Sequence, residues 1–151
     1  MTPKLRAWDN GMEMMVYQGD DEIYICFDGE KWKLLDYYRT HWETDEYGMN
    51  EIEQPWEVKN IEIMQYTGFK DSNGADIYEG DIVKRTYLFD GAFDRMHTGE
   101  VVYDEEYARY VISKPNKYIN PKTEDLGNML SDKSAYEVIG NIYENPELLE
   151  D

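Results

Sequence analysis

The sequence predicts a mainly β protein with minor α content: a small SH3-like or rolled β-barrel around residues 61–143, with an N-terminal strand layer. Short apolar segments alternate with turn signals at close spacing, the pattern of many short strands. Aromatic residues make up 15 % of the chain, chiefly 14 Tyr and 4 Trp, which favour half-buried sheets. Helical signals are confined to two short runs near 122–132 and 146–150. At 151 residues the chain is long enough to bury a core without staples.

The first elements form a meander. "LRAW" (5–8) precedes a "DNG" turn, and "MEMMVY" (12–17) precedes "QGDD". "EIYICF" (22–27) and "KWKLL" (31–35) flank Asp28-Gly29-Glu30, a hairpin connection in which glycine accepts positive φ. Residues 36–57 lose both the helical and the strand period and mix charge with aromatics, which reads as an irregular connection with at most one helical turn. "VKNIEIMQYT" (58–67) regains alternation as one strand.

In "FKDSNGADIYEGDIVKR" (69–85), Asn73-Gly74 signals a tight turn, and Glu79, Gly80 and Asp81 signal a second before a strand over 81–89. Residues 90–99 read as a loop, 100–112 as a hairpin turning at Asp104-Glu105-Glu106, and 135–143 as the closing strand. The run 122–132 reads as a helix capped by Thr123, weakened by Gly127. Pro146 suits the first position of a final helical turn. The expected organisation is a meander and connection over 1–57 and a barrel-like core over 58–151, together one compact unit.

The net charge of −18 comes from 33 acidic and 15 basic residues spread along the whole chain. Such a field repels nucleic acid and anionic membranes and favours basic partners. Cys26, the single cysteine, excludes an internal disulfide and reads as a buried small hydrophobe. The N-terminal residues lack the apolar run of a signal peptide, so a cytoplasmic protein is expected.

The residues supply no catalytic template. His41 and His97 lack metal-spaced partners, and no nucleophile elbow, phosphate loop or dinucleotide fingerprint occurs. A calcium loop starting at Asp71 fails, because the template needs Gly where Asp76 stands and Glu where Ile82 stands. An anion cradle fails because Asp71, Asp76, Glu79 and Asp81 surround the backbone amides with negative charge. The corner reading of the motif therefore outweighs the ligand readings. No catalytic residue, metal site or cofactor is expected.

"KLRAWDNGMEMM" (4–15), "IMQYTGFKDSNGADIYEGDIVK" (63–84) and "YEVIGNIYENPELLE" (136–150) resemble, in this order, the blocks of the YopX family of phage and prophage proteins. The resemblance covers essentially the whole chain and implies a phage accessory role without an assigned activity. It also implies homo-oligomerisation. Three functional expectations follow. The first is a non-enzymatic protein that binds a host or phage protein in the bacterial cytoplasm, through Tyr37, Tyr38, Trp42, Tyr47 and Trp56. The second is an acidic mimic of DNA that occupies a nucleic-acid-binding protein. The third is a metal-dependent hydrolase using clustered carboxylates with His97.

Overall fold

The computed structural model describes residues 4–20, 22–44, 46–48, 51–89, 92–113, 123–126 and 135–150. It is mainly β, and every strand pair is antiparallel. The chain divides into two compact units, Met1–Gln65 and Tyr66–Asp151. That division falls inside a strand rather than at residue 58, because the first half of this strand is held by hydrogen bonds to the N-terminal strand.

In the first unit, β1 (Leu5–Asp9) lies between β2 (Met14–Tyr17) and the opening of β6 (Ile61–Lys70), with Ala7 opposite both Val16 and Ile63. Flanked on both sides, β1 is buried along its whole length, including Arg6 and Asp9. Asp9 closes the β1–β2 turn, its Oδ1 accepting from the amides of Gly11 and Met12 at 2.8 and 3.1 Å.

A second sheet has the order β3-β4-β5: β3 (Ile23–Phe27), β4 (Trp32–Thr44) and β5 (Glu51–Val58). Leu5, Ala7, Val16, Ile25, Leu34 and Val58 form this unit's core. Full burial of each leucine contributes roughly 2 kcal/mol of transfer free energy. The predicted Asp28-Gly29-Glu30 turn is present. Gly29 has φ +103°, and Asp28 Oδ1 accepts from the amides of Glu30 and Lys31, both at 2.9 Å.

Two readings of this half are corrected. Residues 36–57 are not an irregular connection; they are most of a long β4–β5 hairpin. The period fails there because the register shifts between Asp36 and Thr40, and because aromatic and charged residues occupy both faces. Pro55 is accommodated because β5 is an edge strand. The stretch 58–67 is not one strand: β5 ends at Val58, Asn60 turns at φ +60°, and Asn10 Nδ2 donates to its carbonyl at 2.9 Å.

In the second unit, the end of β6 pairs with β7 (Asp76–Tyr78) through Tyr66 and Lys70. A curled sheet has the order β11-β10-β9-β8-β12 and forms a half-barrel. Its strands are β8 (Asp81–Phe89), β9 (Ala92–Asp104), β10 (Arg109–Ser113), β11 (Thr123–Asp125) and β12 (Ala135–Asn141). Ile77, Val83, Val101, Ile112, Leu126 and Tyr136 form the core, with Phe69, Tyr110 and Val138 packed against it. The 3₁₀ turn η1 (Pro146–Leu149) carries Pro146 in its first turn and follows a tight turn in which Asn141 Oδ1 accepts from the amides of Tyr143 and Glu144 at 3.0 and 2.9 Å.

Here too the structure differs from expectation. The predicted loop 90–99 is strand from Ala92 onward, paired with β8 as far as Phe89. The predicted helix 122–132 begins instead as β11, with Thr123, Glu124 and Asp125 opposite Ser113, Ile112 and Val111. Pairing with β10 prevails over the local capping signal, and Arg109 Nη1 donates to Asp125 at 2.8 Å. Residues 127–132 of that prediction lie outside the described residues.

Glu100 in β9 faces Ile82 and Ser113 across the sheet, and burial raises its carboxyl pKa above the ordinary 4.5. A pKa raised on folding contributes stability that is full below the unfolded value and is lost as pH rises through the folded value. Glu100→Gln should therefore raise the melting temperature by about 2 °C near pH 7 and change it little near pH 4. A lower melting temperature at both pH values would refute this assignment.

Candidate functional site: an aromatic groove on the outer sheet face

The β3-β4-β5 sheet has one face on the core and one toward solvent, and its register assigns residues to each. Ile25, Leu34 and Val58 lie opposite one another and point inward. Neighbouring positions alternate in direction, so Tyr24, Leu35 and Glu57 share the outer face. On β5 the same parity places Pro55 and Glu53 outward with Glu57. Trp42 lies opposite Glu53, beyond the β4 bulge, and joins this face.

A groove of about 510 Å³ opens on the outer face, lined by Glu22, Tyr24, Tyr37, Glu53 and Pro55. The Tyr24 and Tyr37 rings meet edge to face, with centroids 5.2 Å apart and planes at 74°. Both rings remain well exposed, 58 % and 44 %, as does Trp42 at 63 %. Glu22, with φ +58°, is tied to β4 by the Tyr37 amide, which donates to its carbonyl at 3.0 Å.

Cations on the far part of this face are bound by carboxylates. Lys33 Nζ lies 2.8 Å from Asp28 and 3.7 Å from Glu57, and Glu57 also holds Lys31 and Lys59 at 3.3 and 2.6 Å. Lys33, with the Lys31 and Glu30 amides, holds the Asp28 carboxyl far below the usual carboxylate range. The Glu57 carboxyl is lowered first by Lys59, and Asp28 raises the Lys33 ammonium.

The five aromatics expected to form an interaction surface are divided by the fold. Tyr37 and Trp42 share the outer face. Trp56 lies opposite Asp36 on the other face, with the His41 ring 6.0 Å away. Tyr47 is exposed in the segment following β4, and the Tyr38 side chain lies outside the described residues. Sequence reasoning missed Tyr24, Glu22, Glu53 and Pro55. The alternation Ile23-Tyr24-Ile25 in β3 was the available signal for an outward Tyr24. Cys26 is half-buried on the outer-face parity, opposite Lys33, rather than in the core as expected.

The turn residues lie in the second unit. Asn73 and Gly74 belong to a five-residue connection between Lys70 and Asp76, in which Gly74 has φ +86° and Asn73 does not adopt positive φ. Asp71, 8 % exposed, organises it: Oδ1 accepts from the Asn73 and Ala75 amides, both at 2.8 Å, and Oδ2 from the Val138 amide at 3.1 Å. Glu79 and Gly80 form the next turn, closed by Asp81, whose Oδ2 accepts from the Tyr78 amide at 2.8 Å. Asp81 is only 1 % exposed. The Gly80 amide donates to Val101 at 2.8 Å, and its carbonyl accepts from Ile142 at 2.9 Å. These carboxylates serve backbone amides.

Among the described residues, no group of three or more His, Cys, Asp or Glu side chains could hold a metal ion. The His97 side chain, invoked for a hydrolase, lies outside them. No helix among the described residues is long and apolar enough to cross a membrane.

These features define a mainly β protein that carries, among its described residues, an exposed aromatic groove lined by two acidic side chains. The chain belongs to the YopX protein family, whose model matches residues 4–150. It is similar to protein EF1440 from Enterococcus faecalis, at 27 % identity over 99 % of both chains with a TM-score of 0.59. It is also similar to protein yopX from Bacillus subtilis, at 25 % identity over 99 % of this chain and 100 % of that one, with a TM-score of 0.64. No curated relative matches.

Proposed function

We propose that the protein is a non-enzymatic phage or prophage accessory protein that acts in the bacterial cytoplasm by binding another protein through the outer face of β3–β5. The observation that carries this reading is the exposure of Tyr24 and Tyr37 in one groove, with Trp42 exposed on the same sheet face. Tyr and Trp supply large contact area at small conformational-entropy cost and are enriched at binding hot spots. A host or phage protein with a basic surface is the partner that the net charge of −18 favours. Self-association belongs to the same reading and is read directly by light scattering on the purified chain.

The test is affinity capture from prophage-bearing cells with two baits, the native chain and a Tyr37→Ser/Trp42→Ser variant. A protein retained by the native chain and lost with the variant supports the proposal. Equal recovery on both baits overturns the assignment to this face. A partner displaced by duplex DNA would instead favour DNA mimicry.

A further inference from the structure

We infer that Asn73 is a self-modification site: it converts to isoaspartate, and the product loosens the turn that ties residues 69–85 to β12. Asparagine is labile where glycine follows, because the glycine amide, with no side chain beside it, reaches the asparagine side-chain carbonyl. The chain holds two such pairs, Asn10-Gly11 and Asn73-Gly74. The reaction requires that the glycine amide lose its proton and that the asparagine side chain swing onto its nitrogen.

At the first pair both movements are restricted. The Gly11 amide donates to the Asp9 carboxylate at 2.8 Å, and a negative acceptor disfavours its deprotonation. Asn10 is half-buried, and its Nδ2 and backbone amide donate to the Asn60 carbonyl at 2.9 and 3.2 Å. At the second pair Ser72, Asn73, Gly74 and Ala75 are all exposed. The Gly74 amide donates to a neutral acceptor, the Asp71 backbone carbonyl, at 3.0 Å. A solvent-exposed turn opens locally at small free-energy cost, and each opening releases this amide for reaction.

In the reaction the Gly74 nitrogen, having lost its proton to solvent, bonds to Asn73 Cγ. The Cγ–Nδ2 bond breaks, and the side-chain nitrogen leaves as ammonia with a proton from solvent. Water then opens the cyclic imide at either carbonyl, giving aspartate or isoaspartate. Nothing is oxidised or reduced; an amide and a water become a carboxylate and an ammonium ion. Isoaspartate routes the main chain through its side-chain carbons and so adds a methylene to the backbone. Asp71 Oδ1 accepts from the Asn73 and Ala75 amides, both at 2.8 Å, and therefore straddles the insertion. Lengthening the chain between these two donors pulls one of them off Oδ1 and weakens the carboxylate's hold on Val138. The new carboxylate also adds repulsion toward Asp71 and Asp76.

The test is incubation of the purified chain at mildly alkaline pH, with peptide mass mapping of both sites over time and an isoaspartate methyltransferase assay. The same chain in urea supplies reference rates, since only local sequence then acts. Relative to those rates, Asn73 in the native protein should react at least about fivefold faster than Asn10. The isoaspartate fraction, separated by anion exchange, should show a urea midpoint lower than that of fresh protein by roughly 0.5–1 M. An Asn73→Ser variant incubated in parallel should keep its midpoint. Equal relative rates, a faster Asn10, or no isoaspartate at 73 in the native protein overturns the site. An unchanged midpoint in the isoaspartate fraction, or an equal fall in incubated Asn73→Ser, overturns its effect on the turn.

Discussion

Asp71→Ala is expected to destabilise the second unit by about 3 kcal/mol, measured by urea unfolding. The Asp71 carboxylate accepts three backbone amides, two within its own turn and one from Val138 in β12, 67 residues away. Bonds to a charged acceptor are worth roughly 1.5–3 kcal/mol each, but exposed turn amides recover part of this from water. Ser72 and Ala75, like Asn73, are exposed, whereas Val138 is half-buried and packs against the core. Most of the loss should therefore come from the β12 contact.

Asp71→Asn retains a carbonyl that can replace Oδ1 in the turn but puts an NH2 group where Oδ2 accepts from Val138, and should recover less than half the loss. Asn73→Ala should change stability by no more than about 0.5 kcal/mol, since Gly74 alone carries the positive φ. A loss below about 1 kcal/mol in Asp71→Ala, or a larger loss in Asn73→Ala, would show that the turn is organised otherwise.

The motif around Asp71 shows where the sequence was legible and where it was not. Its turns, and the strand leaving Asp81, are local features announced by Asn, Gly and Asp. The bond from Asp71 to Val138 is non-local, and no spacing within 69–85 announces it. The same distinction holds in the first unit. Strands with one core-facing side, such as β3 with Ile25 inward and Tyr24 outward, keep a readable period. The β4–β5 hairpin does not, because a register shift falls in its middle and both faces carry aromatic and charged residues.

The groove was partly legible for the same reason. Tyr37 and Trp42 belong to a segment conspicuous in composition. Tyr24 and Glu22 reach the same face from β3, and only the pairing of Tyr24 with Leu35 brings them there. Trp56 looked equivalent to Trp42 in composition, yet its pairing with Asp36 turns it to the opposite face. Composition identified the segment, while register decided which side chains share a surface.

Gly99→Ala is expected to destabilise the second unit by about 2–3 kcal/mol, a large effect for one added methyl. A Cβ at position 99 would stand 2.5 Å from Ile112 Cγ2 and 2.7 Å from the Ser113 carbonyl oxygen. The first neighbour is a side chain that can shift. The second is backbone, held where Ser113 pairs with Glu100 across β9 and β10. The φ at Gly99 is not in the left-handed region, so close approach rather than backbone preference requires glycine here. The sequence offered Gly99 only as the end of a predicted loop; its place is inside a strand where the curled sheet brings two backbones together. A double-mutant cycle with Ile112→Ala separates the two clashes. If the Ile112 methyl dominated, the double variant would lose little more than Ile112→Ala alone. The Ser113 carbonyl remains in both, so at least half of the Gly99→Ala loss should persist in the double variant. Its complete disappearance would place the close contact on the side chain and leave the β9–β10 backbone free to accept a larger residue.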